Sequence, residues 1–178
     1  MESAAGQDFI SYMQGSIWTP LSMTNTMPDD ATRAIPRRTR FYKAKDGSGF
    51  ELEPDVDNSY KWASGGFLST PEDLVRFGSA LLQPGFLTSA SLDALFTTQK
   101  TTDGKETGYG IGWEVQKDKA GHRLLFHTGG SVGGTSMLLI QPDSRMVLAI
   151  TANCSDAPLD KAKPTAVIEL LSALFNPK

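Results

Sequence analysis

His122-Arg123-Leu124-Leu125-Phe126-His127-Thr128-Gly129-Gly130-Ser131-Val132-Gly133-Gly134 is the stretch whose reading decides the fold. Its apolar opening, 122–126, predicts a strand, and the glycine-rich close, 131–134, predicts a turn. Two more strand-like runs follow, Ser136 to Ile140 and Met146 to Thr151, joined through Pro142-Asp143-Ser144-Arg145. An antiparallel meander results. A strand that ends in His-Thr-Gly-Gly sets an imidazole, a hydroxyl and bare backbone N–H groups side by side. Those are the groups needed to hold an acyl group and the oxyanion it develops.

Working outward, Tyr109-Gly110-Ile111-Gly112-Trp113-Glu114-Val115 reads as a further strand, with a turn over 117–121 leading into the central one. Before it, the periodicity is helical. Thr70 is placed to cap a helix, Pro71 suits its first position, and Glu72 and Asp73 put negative charge in the first turn. Leu74, Phe77, Gly78, Leu81 and Leu82 form its buried stripe, and Pro84-Gly85 ends it. A shorter helix starts near Ser89 and carries Leu92, Leu95 and Phe96. Phe9, Ile10, Met13 and Ile17 predict a short amphipathic helix that ends before Pro20. Residues 21–36 read as irregular, Thr39 to Lys43 and Phe50 to Glu53 as the arms of an exposed hairpin, and 55–64 as loop. Beyond Pro164, Val167, Ile168, Leu171, Leu174 and Phe175 share one helical face. The class is therefore α+β: helices first, then an antiparallel sheet meander, then a C-terminal helix packed on it.

At 178 residues the chain is about one domain long, with 39% apolar and 21% charged residues. A net charge of −3 argues against nucleic acid as a partner, which needs clustered positive charge. The one basic cluster, Arg33, Arg37, Arg38 and Arg40, is broken by Pro36 and reads as a solvated loop. A single cysteine, Cys154, leaves no intrachain disulfide and no cysteine-based metal site. No apolar run reaches the length of a membrane span. Residues 1–8 have neither a basic nor an apolar region of a signal peptide, so the compartment stays open.

His127 admits two readings, a satisfied strand-end histidine or a site residue, and Gly129 and Gly130, which let a ligand approach the backbone, favour the second. His122 lies five residues away on the opposite face, so the two histidines cannot share a metal and no metal site or cofactor is expected. Ser64-Gly65-Gly66-Phe67-Leu68-Ser69-Thr70 is either a tight entry into a helix or a backbone wall against a pocket.

Taken together, Ser64 to Leu74, the Tyr109-Gly-Ile-Gly-Trp113 run, His127-Thr128-Gly129-Gly130 and Ile17 to Thr26 resemble, in order, the serine β-lactamase-like family of class C β-lactamases, D,D-peptidases, penicillin-binding proteins and related esterases. The resemblance implies that residues 1–178 form a single, partial β-lactamase-like domain. It implies catalytic roles for His127 in the proton network and for Gly130 as an oxyanion donor, with Thr128 and Gly129 contacting substrate. The substrate would be a small ester, amide or β-lactam, and the enzyme a hydrolase. The departure is large. No serine has a lysine three residues on, so the family's Ser-x-x-Lys nucleophile is absent, and no tyrosine begins Tyr-x-Asn. Thr97-Thr98-Gln99-Lys100 has the spacing but the wrong residue and place. The likeness is to the C-terminal part of such an enzyme, and the chain alone is expected to be inactive. The alternative is a stand-alone, non-catalytic binding or assembly module. Met146 to Ala152 is almost continuously apolar, as strands buried on both faces are. If its neighbour belongs to a missing N-terminal half, a homo-oligomer or a separately encoded partner is expected.

Overall fold

The computed structural model describes residues 1–46, 48–155, 157 and 167. The chain opens with α1 (Glu2–Ala5) and α2 (Phe9–Met13), the latter capped by Asp8 and continued by a wider π-helical turn, Gln14–Trp18. Short strands follow, β1 (Met27–Pro28), β2 (Tyr42–Ala44) and β3 (Phe50–Leu52). Next come a 3-10 turn over Ser59–Ser64, where a plain loop was expected, and β4 (Phe67–Leu68). β1 and β4 pair antiparallel, and β2 and β3 form the expected hairpin.

Helix α3 (Pro71–Ala80) begins as the sequence predicts. The Thr70 hydroxyl accepts the Asp73 N–H, and Pro71 occupies the first turn. Asp73 is fully buried and anchors more than the helix. Its carboxylate accepts the Asn25 N–H at 2.8 Å and the Thr26 hydroxyl at 3.0 Å, and pairs with Arg76 at 2.7 Å. The 17–26 and 64–74 segments are thereby tied together. Helix α4 (Ser89–Phe96) is capped by Thr88.

Four antiparallel strands form the main sheet in the order β5 (Glu114–Lys117), β6 (Arg123–Ser131), β7 (Gly134–Gln141) and β8 (Met146–Ala152). Side chains alternate across it. On one face Leu125 and Ile140 meet Leu81, Phe96 and Trp113 under α3 and α4, and on the other Leu124, Phe126 and Leu139 pack together. The contact with α3 is close. A Cβ on Gly78 would lie 2.6 Å from Val147 Cγ1, so the stripe needs its glycine. A last short strand, β9 (Cys154–Ser155), leaves this sheet and pairs parallel with β2.

One element departs from expectation. Residues 109–113 are not strand, although Tyr109 makes a single bridge to Glu114. Gly108 and Gly112 have φ of 71° and 77°, which breaks the extended run. Between them the chain folds onto the end of α4, where the Ile111 N–H donates to the Leu95 carbonyl at 2.9 Å. The apolar–glycine alternation imitated a strand. The helix expected beyond Pro164 falls, except for Val167, outside the described residues. Among those residues, β8 pairs with β7 alone, and no helix is long and apolar enough to cross a membrane.

Candidate active site

Strand β5 begins at Glu114, opposite Phe126, so β6 beyond Phe126 has β7 on one side and no strand on the other among the described residues. His127, Thr128, Gly129 and Gly130 all lie on this one-sided stretch. Leu124 to Phe126 must be apolar because they are enclosed, whereas 127–131 can be polar because their outer side is open.

The imidazole of His127 is exposed but held at both nitrogens. Nδ1 lies 2.6 Å from the Thr128 carbonyl oxygen, and Nε2 lies 2.6 Å from the Tyr109 hydroxyl. A carbonyl can only accept, so Nδ1 carries the hydrogen and the neutral ring's Nε2 accepts from Tyr109. The two rings stand edge to face at 80°, with centroids 5.9 Å apart. Tyr109 was legible only as part of a motif. Its role as partner of His127 depends on the fold of the 108–113 loop.

A cleft of about 450 Å³ opens beside this strand. Thr128, Gly129, Gly130 and Ser131 of β6 line it together with Glu53, which follows β3, and Ser155 of β9. His127 is next to it in sequence without lining it. Ser155 donates from its hydroxyl to Glu53 Oε1 at 2.8 Å and accepts the Gly133 N–H at 2.7 Å. Thr135 donates to the Cys154 carbonyl at 2.8 Å, joining the sheets at the floor. Gly133, with φ of 74°, sits against Phe41, leaving no room for a side chain.

The Ser64-Gly65-Gly66 segment does not line the cleft. A Cβ on Gly66 would come 2.5 Å from the Asn58 carbonyl oxygen and 2.8 Å from Trp62. Tight packing accounts for that glycine. The 3-10 turn before it reaches the site instead, through Lys61, whose ammonium donates to the Ser131 hydroxyl at 2.8 Å. His122 lies outside β6, its Nδ1 3.0 Å from Asp118. Burial pushes the Asp118 carboxyl up. The hydrogen bonds from His122 and Ala120 outweigh burial and hold it below the ordinary range. No group of three metal-binding side chains occurs among the described residues.

The sequence profile of the β-lactamase family matches residues 1–172. The chain belongs to the β-lactamase family. It is 34% identical to the mouse serine beta-lactamase-like protein LACTB, mitochondrial, over 80% of this chain and 30% of that protein. Its fold matches that of a D-stereospecific amidohydrolase from Streptomyces sp., with a TM-score of 0.75, 23% identity and coverage of 99% of this chain and 51% of the other. It also matches the octameric penicillin-binding protein homologue from Pyrococcus abyssi, with a TM-score of 0.73, 20% identity and coverage of 97% and 39%. The chain thus spans about a third of the length of the curated relatives it matches. It is a β-lactamase-like domain portion of serine hydrolase ancestry, with the α+β fold of penicillin-binding proteins.

Proposed function

We propose that this chain supplies the acyl-binding wall of a serine acyl hydrolase of β-lactamase, esterase or peptidase type. The observation that carries this reading is the one-sided end of β6, where a tautomer-fixed His127 stands beside Thr128, Gly129 and Gly130 over a cleft. In an antiparallel strand the N–H and C=O of one residue face the same side, and alternate residues agree. With the Thr128 carbonyl turned to His127, the Gly130 N–H shares that open edge and is free to meet a developing oxyanion. In the complete enzyme a serine oxygen would bond to the carbonyl carbon of an ester, amide or β-lactam. The alcohol or amine would leave with a proton, and water would then cleave the acyl-enzyme. Gly130 would stabilise the oxyanion and His127 would steady the proton network. Thr128 and Gly129 would hold the substrate.

No Ser-x-x-Lys occurs within residues 1–178, so the isolated chain is expected to show no turnover of nitrocefin or short p-nitrophenyl esters above a denatured control. Turnover that disappears in a single serine-to-alanine variant overturns this. The same absence favours a second reading, a non-catalytic ligand-binding or assembly module. Activity restored by adding a segment that bears Ser-x-x-Lys, encoded beside this one, separates the two. Association with such a segment, or with further copies, is part of the proposal, and the octameric Pyrococcus homologue supports it.

A further inference from the structure

We infer that Glu53 is the receptor for a primary amine on the ligand that fills the cleft, an inference that rests on reading the cleft as an acyl-binding site. Among the described residues that line it, Glu53 is the only ionisable one. Its carboxylate is not a loose surface group. The Glu53 N–H is fixed to the Phe41 carbonyl at 2.9 Å. Oε1 is fixed by Ser155, which is itself fixed by the Gly133 N–H. Among the described residues the charge has direction but no ion-pair partner. No cation among the described residues lies within ion-pair distance of it. Lys43 feels its field but is bonded to Glu51 at 2.9 Å, with Lys45 3.8 Å from the other oxygen of Glu51. Lys61 is engaged by Ser131.

The cleft is open, and Glu53 is half-buried within reach of solvent. A ligand that fills the cleft takes that solvent away, and a desolvated charge without a partner is costly. Glu53 therefore works in both directions. It rewards a ligand that brings an ammonium and penalises a neutral or anionic one of the same shape. A cleft of this volume is of small-molecule size. A ligand with its carbonyl at Gly130 and its cation at Glu53 is an amine-bearing acyl donor, such as an amino-acid ester or amide. A lone carboxylate beside a hydroxyl is too sparse a donor set for a metal ion.

The test compares phenylalanine methyl ester with methyl 3-phenylpropanoate, which differ only in the amine. Both are titrated at pH 6, where the amine is charged, into the full-length chain labelled with ¹⁵N. The expected result is that both esters shift the amides of 128–131 and that the amine-bearing ester binds about tenfold tighter. In Glu53→Gln, which keeps an acceptor for Ser155, the preference falls below about twofold, because the amine-bearing ester loses affinity and the neutral ester, no longer desolvating a charge, gains some. Unmoved amide signals at 154–155 in that variant confirm an intact wall. Equal binding of the two esters by the unaltered chain overturns the inference alone. So does a preference that survives Glu53→Gln. Failure of both esters to shift 128–131 overturns the acyl-site reading and this inference with it.

Discussion

The two halves of β6 are made by one backbone and behave as two materials. Leu124, Leu125 and Phe126 are flanked by β5 and β7 and enclosed on both faces, with Leu124 and Leu125 at 0% exposure. Four residues on, Gly130 is exposed and a Cβ added to it would meet nothing within 4 Å. The difference is set by where pairing with β5 stops. A strand with two neighbours must match its surroundings in volume, and a strand with one neighbour can spend its other edge on chemistry. Rigidity is made in the first half and used in the second.

The largest test of that contrast is stability. Leu125→Ala removes a side chain packed with Leu81, Phe96, Trp113 and Ile140, and should cost about 2–5 kcal/mol in urea denaturation. Gly130→Ala should change stability by no more than about 0.5 kcal/mol. A similar cost for both would mean the two halves are not distinct.

A second strand, one-sided among the described residues, sharpens the comparison. β8 is as apolar as β7, yet none of its residues is buried, whereas Met137, Leu139 and Ile140 of β7 are at 0% exposure. Among the described residues its second edge is unpaired, and residues 146–152 hold no lysine or proline to discourage pairing. Light scattering over a concentration series should therefore give masses above 19.2 kDa, and Leu148→Lys should lower them. A mass of 19.2 kDa at every concentration would show that β8 is covered by the chain itself.

Smaller effects are expected at the polar end. Tyr109→Phe should leave stability within about 0.5 kcal/mol. It frees Nε2 of His127, so the ring ¹⁵N signals should move from a single Nδ1–H tautomer toward an average of two. Unchanged signals would mean that the Thr128 carbonyl alone fixes the ring. The weakest effect lies at the other end of β6. The Asp118 carboxyl is held below its ordinary value, so its contribution is present above the ordinary aspartate pKa of about 3.9. It is lost as pH falls below that range. Acid titration followed at the Ala120 and His122 amides should show the 118–122 turn loosening there, and Asp118→Asn should abolish the step.

What was legible in the chain was whatever is encoded locally. Thr70-Pro71 announces α3, Ser89 to Phe96 forms α4 within a residue of expectation, and β6, β7 and β8 follow from alternation and turn chemistry. What was hidden depends on distant contact. Glycines with positive φ at 108 and 112 turned an alternating pattern into a loop, which is what brings Tyr109 to His127. Glu53 and Ser155 join the glycines of β6 in lining the cleft only because β9 pairs with β2. No periodicity near either residue encodes that meeting. The Lys61–Ser131 bond, 70 positions apart, is of the same kind.

The β2–β9 pairing also sets a time order. Asn153 donates to the Thr39 hydroxyl across 114 positions, and a parallel pair of that span closes a very long loop. The β2–β3 hairpin and the α3 helix can form while the chain is still being synthesised. Ser155, and with it the fixed carboxylate of Glu53, cannot take its place until residues 39–155 have all been made. The cleft is therefore the last part of the described structure to be born, and a chain cut short before Cys154 should keep its meander and lose part of the cleft lining.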